Sequence, residues 1–179
     1  MKKSTMTKDS SMKPANPRIL TINGGSSSIK FALFEADDPL RRILEGGIER
    51  IGLPETTLRV KGMNPEDNYS RLLTAPNHAV ALNVLMDWIE ECSWREALGG
   101  LDTLVFAGGI GENAPTVRSR ICDGLGFLGI ELAEKQNVAN AGVISTAGSH
   151  ATVRVICTDE ELMIAKTVFR VLGPGVAGS

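Results

Sequence analysis

Asn23-Gly-Gly-Ser-Ser-Ser-Ile-Lys30 and Gly108-Gly-Ile-Gly-Glu-Asn113 are two glycine-rich turns, each preceded by a short apolar run, Ile19 to Ile22 and Thr103 to Phe106. A turn without side chains, placed directly after a strand, lets backbone N–H groups come close to a phosphate. Two such turns in one chain suggest a nucleotide held between two structural units. Neither is a P-loop, because G-x-x-x-x-G-K-[ST] occurs nowhere in the sequence. Each turn alone also reads as an ordinary connection, a hairpin in the first case and a strand-to-helix link in the second.

Working outward from the first turn, Arg18 to Asn23 is strand-like. Ser28 to Glu35 alternates Ile29, Phe31 and Leu33 with Ser28, Lys30 and Ala32, the period-two pattern of a half-buried strand. On this pattern Lys30 sits on a solvated strand face. Asp37-Asp38-Pro39 marks a turn into a third strand around Arg42 to Ile48, and a fourth extended piece falls at Thr57 to Lys61. Asn77 is the natural N-cap of a helix running to about Glu91, with Ala81, Leu82, Leu85, Trp88 and Ile89 as its apolar stripe.

Around the second turn the rhythm changes to strand and helix in alternation. Leu101 to Ala107 reads as a buried strand, and Pro115 to Leu125 as a helix with proline in its first turn. An extended stretch is expected at Phe127 to Leu132, then a polar segment to His150 and a strand at Thr152 to Cys157. Thr158 is expected to cap a final helix to about Leu172, with Asp159, Glu160 and Glu161 in its first turn. The apolar residues of that helix, Leu162, Ile164, Ala165, Val168 and Leu172, need a surface, and the N-terminal sheet is the one on offer.

The 179 residues are 42% apolar but only 4% aromatic, so a core would rest on Leu, Ile, Val and Ala. Nineteen basic and 21 acidic residues give a net charge of −2, which argues against a nucleic-acid surface. No apolar run is long enough to span a membrane, and Met1 to Pro17 lacks the apolar stretch of a signal peptide. The three cysteines, Cys92, Cys122 and Cys157, have no C-x-x-C spacing and read as reduced, buried thiols of a cytoplasmic protein. His78 and His150 are expected at the surface, Arg41 and Arg42 beside a turn in solvent. Arg118 and Arg120, two apart on one helix, face different sides.

Taken together, the motifs carry a resemblance. Asn23 to Phe31 resembles the N-terminal signature of the acetate kinases, and Glu45 to Gly52 their second signature. Leu101 to Asn113 is similar to their adenosine-binding segment, and Thr158 to Ala165 to the magnesium-associated start of their last helix. The resemblance implies an α/β fold of the ribonuclease-H-like, actin-like ATPase type, here with incomplete lobes of mixed sheet and flanking helices. It implies transfer of a phosphoryl group from ATP to acetate or propionate, with Mg²⁺. Ser26, Ser28 and Lys30 would meet the nucleotide phosphates; Gly109, Ile110, Gly111, Glu112 and Asn113 would cradle the adenosine. Asn23 and Glu160 would stand by the metal, with Asp159 where the family usually has Asn.

Family members are more than twice as long. Met1 to Pro17, rich in Lys, Ser and Pro, reads as a disordered tail. The resemblance implies part of a first lobe at 18–91 and part of a second at 97–173, joined between Ile89 and Glu96 with the intervening region missing, before a tail at 174–179. The acceptor-binding arginines, an essential aspartate and a phosphate-contacting histidine belong to that region, and no Gly-His-Arg or His-Gly-Gly segment replaces them. The expected outcome is a nucleotide site with impaired or absent phosphotransfer, or a non-catalytic nucleotide-binding remnant whose exposed faces invite association of copies. Gly109-Ile-Gly-Glu-Asn-Ala114 also satisfies G-x-G-x-x-A, with Glu131 downstream, the outline of a dinucleotide-binding turn that leaves the N-terminal signature unexplained.

Overall fold

The structure, a computed structural model, describes residues 16–91 and 100–172, without the side chains of Glu90, Glu91, Glu160 and Glu161. The expected tails, apart from Asn16 and Pro17, and the expected junction around residues 92–96 lie outside the described residues. Seven strands form one sheet in the order β5-β4-β3-β2-β1-β6-β7. They are β1 (Arg18–Gly24), β2 (Ser28–Glu35), β3 (Arg41–Glu49), β4 (Thr56–Gly62), β5 (Tyr69–Leu73), β6 (Leu101–Ala107) and β7 (Thr152–Val155). β1 to β5 form an antiparallel meander, whereas β6 lies parallel to β1 and β7 parallel to β6. Strands from both ends of the chain therefore share a single sheet, and β1 is where its antiparallel half meets its parallel half.

The helices are α1 (His78–Glu91), α2 (Gly108–Asn113), α3 (Pro115–Gly124), α4 (Glu134–Val138) and α5 (Glu160–Leu172). Asn77 caps α1 as expected, its Oδ1 accepting the Val80 N–H at 3.0 Å. One core cluster joins Leu20, Ile22, Ile29 and Leu33 of the sheet to Leu82, Leu85 and Trp88 of α1 and to Ile121 and Leu125 beside them. The rings of Phe31 and Trp88 lie 6.0 Å apart, a tilted aromatic contact between β2 and α1. Alternation on β1 and β2 sends Thr21, Asn23, Lys30 and Ala32 to the opposite, open face of the sheet.

Several expectations are corrected. The second glycine turn is wound into the short helix α2. Phe127 to Leu132 is not extended; Gly126–Leu128 is a 3₁₀ turn, and only Leu132 makes a bridge, to Ser145. The polar segment beyond it contains α4. Thr158 does not cap α5. That role falls to Asp159, whose Oδ1 accepts the Leu162 N–H at 2.8 Å. Nor does α5 pack on the N-terminal sheet: Leu162, Ile164, Val168 and Leu172 are all exposed. Among the described residues no helix is long and apolar enough to cross a membrane.

Candidate nucleotide-binding site

Asn23, next to last in β1, pairs with Ala107, the last residue of β6, so both glycine turns leave the same end of neighbouring parallel strands. The carboxyl ends of parallel strands, next to the point where the strand order reverses, are where open α/β sheets bind ligands. The two turns interlock. Gly108 has φ +75°, and a Cβ there would lie 2.3 Å from Asn23 Oδ1 and 3.0 Å from the Gly24 carbonyl oxygen. A Cβ on Gly24 would in turn meet Ile110 Cβ at 3.0 Å and the Gly111 nitrogen at 3.2 Å. Glycine is needed at both places because each turn is the wall of the other.

The β1–β2 hairpin is held from two sides. Gly25 N–H bonds the Ser28 carbonyl at 2.9 Å, and Ile51 N–H bonds the Ser27 carbonyl at 2.9 Å. His78 Nε2 lies 2.9 Å from the Gly25 carbonyl oxygen, so this half-buried histidine clamps the turn and is not the free surface residue expected. Ser26 and Lys30 are exposed and Ser28 half-buried. Lys30 stands directly opposite Asn23 in the antiparallel ladder.

In α2, Gly109 and Asn113 are exposed, Ile110 half-buried and Gly111 buried. Asn113 Nδ2 donates to the Gly109 carbonyl at 2.9 Å. Glu112 Oε1 accepts from the Gly108 N–H at 3.0 Å and from both the N–H and the hydroxyl of Thr158 at 2.9 Å. The bond from the Thr158 N–H is the main reason that the Glu112 carboxyl titrates below its ordinary value. The same carboxylate pushes the Cys157 thiol up by accepting its hydrogen bond. Cys157 is exposed, against expectation, whereas Cys122 is buried and its thiol is pushed up to about 12 by desolvation. Cys92 lies outside the described residues.

The residue that sequence reading missed is Arg118. It is 0% exposed. Its guanidinium donates five bonds, two to the Gly111 and Glu112 carbonyls and three to the Asn137 carbonyl, Asn137 Oδ1 and Asn140 Oδ1, at 2.6 to 2.9 Å. It ties the end of α2 to the end of α4 through neutral oxygens, and burial draws its pKa down. A signal was present: Arg118 stands three, four and seven residues before Ile121, Cys122 and Leu125, on the buried stripe of α3. Arg41 and Arg42 are exposed and paired with Glu35 and Glu45. Glu131, the acidic residue of the dinucleotide outline, accepts the Thr146 hydroxyl at 3.0 Å. His150 is exposed.

Of the two expected metal-side residues, Asn23 stands against Gly108 of the second glycine turn, and the side chain of Glu160 lies outside the described ones. Among the described residues no group of three or more His, Cys, Asp or Glu is arranged to hold a metal ion.

The mixed sheet with flanking helices and paired glycine turns is an α/β fold of the actin-like ATPase, ribonuclease-H-like class. Acetate kinase of Entamoeba histolytica superposes with a TM-score of 0.57 over 89% of this chain and 52% of its own, at 18% identity, a likeness of fold. The acetokinase family model matches residues 18–98 and 92–166, and the chain belongs to that family. It is 42% identical over 112 residues to acetate kinase of Rhizobium meliloti, covering 60% of this chain and 28% of that protein. It is 49% identical over 86 residues to propionate kinase PduW of Salmonella typhimurium, covering 48% of this chain and 21% of that one. The matched stretch is therefore well under a third of these relatives' length.

Proposed function

We propose that this chain binds a magnesium nucleotide, ATP or ADP, at the carboxyl ends of β1 and β6, and does not by itself phosphorylate acetate or propionate. The carrying observation is the interlock of Gly108 with Asn23, directly across the ladder from the exposed Lys30. Ser26, Ser28 and Lys30 then meet phosphate oxygens, while the exposed backbone of Gly109 and the Asn113 side chain offer a flat surface to adenosine. Ile110 and Gly111 back that surface, and Glu112 holds it in shape.

The described groups around Asn23 are its amide oxygen and serine hydroxyls, oxygen ligands that can face a hard cation, and the Lys30 ammonium, which can pair only with phosphate. Such a set suits Mg²⁺ that arrives on phosphate oxygens with its waters, since this ion rarely uses an all-protein cage. When bound, the ion neutralises phosphate charge. Glu160, one residue into α5, is the carboxylate we assign to it. Attack by a carboxylate on a γ-phosphate needs further cations around the acceptor. The match of the family model in two successive blocks, meeting at residues 92–98, supports the reading that the region supplying them is missing. Free Cys122 and Cys157 favour a cytoplasmic setting.

Isothermal titration with Mg-ADP, paired with an acetyl phosphate assay, tests this. One nucleotide bound per chain, with no acetyl phosphate above background, is expected. No binding would overturn the nucleotide site. Acetyl phosphate formation that vanishes in Lys30→Ala protein would overturn the non-catalytic part.

A further inference from the structure

On the open face of the sheet, register places five residues in one row across five strands. Asn23 pairs with Lys30, Lys30 with Gly47, Gly47 with Arg59, and Arg59 with Ser70. A cleft of about 760 Å³ lies along this row, floored by sheet backbone and by the small residues Thr21, Ala32 and Gly47. Its rim carries Lys30, Arg42, Arg59 and Lys61 against Glu45 and Glu49. That is a cationic excess on a chain whose net charge is −2. Arg42 is paired with Glu45, whereas among the described residues Lys30, Arg59 and Lys61 form no ion pair. A concave surface lined with one sign of charge concentrates ligands of the other.

We propose that this cleft binds an oligophosphate chain laid across the strands, gripped at one end by Lys30 and at the other by Arg59, with Lys61 alongside. Gly47 separates the two cations, which stand two strand spacings apart, roughly 9–10 Å. A lone carboxylate is too short to engage both cations, whereas successive phosphates spread charge over that span. Arginine's planar fork and lysine's point charge are the usual pair for such a ligand. The row begins at Asn23, so the oligophosphate is either the tail of a nucleotide seated on the glycine turns or a free inorganic chain. The site stands on its own cations in either case.

The test is calorimetric titration of the full chain with inorganic tripolyphosphate at near-physiological salt. Arg59→Ala and Lys61→Ala serve as variants, both exposed positions whose truncation leaves the fold intact. Saturable binding that weakens about tenfold or more in Arg59→Ala is expected, since each charge-assisted bond contributes on that scale. Absence of binding, or equal affinity in Arg59→Ala, would overturn the proposal. Tripolyphosphate that displaces ATP identifies the nucleotide tail as the source; simultaneous binding identifies a free chain. Mg-ADP titrated into the same variants reports separately on the glycine turns, so failure of one reading is not mistaken for failure of the other.

Discussion

The carboxylate of Glu112 accepts both the backbone N–H and the hydroxyl of Thr158, each at 2.9 Å, across 46 residues of sequence. Its same oxygen accepts the Gly108 N–H at the opposite end of α2. One side chain thus fastens the glycine turn after β6 to the segment that leads into α5. Arg118 holds the turn from below through its carbonyls. The turn is held at both ends, so its exposed Gly109 backbone is presented in one conformation.

This latch is pH-dependent, with a definite sign. The Glu112 carboxyl is lowered from its ordinary value of 4.5, mainly by the Thr158 N–H. A depressed carboxylate contributes stability that is fully present above the unfolded pKa and lost as pH falls through the folded one. The protection factor of the Thr158 amide, its exchange relative to an unstructured amide at the same pH, is expected to be high near neutrality and to fall only below the usual carboxylate range. In Glu112→Gln it is expected to be lower at neutral pH and to lack the acid step. Equal protection at neutral pH in the two proteins would remove the latch from the account.

Arg118→Ala leaves buried carbonyls of Gly111, Glu112 and Asn137 without their donor. Loss of about 3 kcal/mol or more is expected, a fall in Tm of roughly 6–12 °C at this chain length. Arg118→Lys keeps the charge but lacks the fork and is expected to recover less than half of the loss. Thermal unfolding of both variants checks this, and a Tm within about 2 °C of wild type for Arg118→Ala would contradict it.

Strands β1, β2, β3, β4 and β6 were legible because burial follows their period-two pattern or unbroken apolar runs. β5 was not, because Tyr69 to Leu73 is an edge strand with mostly exposed residues, and it writes no alternation into the sequence. α4 is five residues long, too short for a helical period to register. Asn23, Lys30 and the glycines stand out in the sequence as motifs. The interlock of the two turns does not, since it depends on the parallel pairing of β1 with β6, more than 80 residues apart in sequence. The bonds that let Arg118 be buried were not legible, because its side-chain partners, Asn137 and Asn140, lie 19 and 22 residues further along the chain.

Gly108 and Gly109 make a discriminating pair. Gly108→Ala combines a positive φ with a Cβ 2.3 Å from Asn23 Oδ1, so Asn23 must move. A loss of about 1–2 kcal/mol is expected from the backbone alone, together with a large fall in Mg-ADP affinity. A Cβ on Gly109 meets nothing within 4 Å. Gly109→Ala is therefore expected to keep or slightly raise stability, alanine being favoured over glycine in a helix by about 1 kcal/mol. It should still weaken nucleotide binding if the base lies against that backbone. Wild-type affinity in Gly109→Ala would move the adenosine elsewhere.

The last helix is expected to contribute little to folding, because its apolar side chains, Ile164, Phe169 and Val171 among them, are largely exposed. Phe169 is 67% and Val171 81% exposed, while Phe106 in β6 is fully buried. Phe106→Ala is expected to cost about 3–5 kcal/mol, whereas Phe169→Ala should fall within about 0.5 kcal/mol of wild type. The same exposure makes α5 a source of self-association, since contiguous apolar surface of this kind seeks cover. Phe169→Glu with Val171→Glu is expected to leave Tm unchanged and to reduce light scattering at high concentration. A drop in Tm of several degrees for that double variant would mean that α5 is covered in solution and belongs to the folded core.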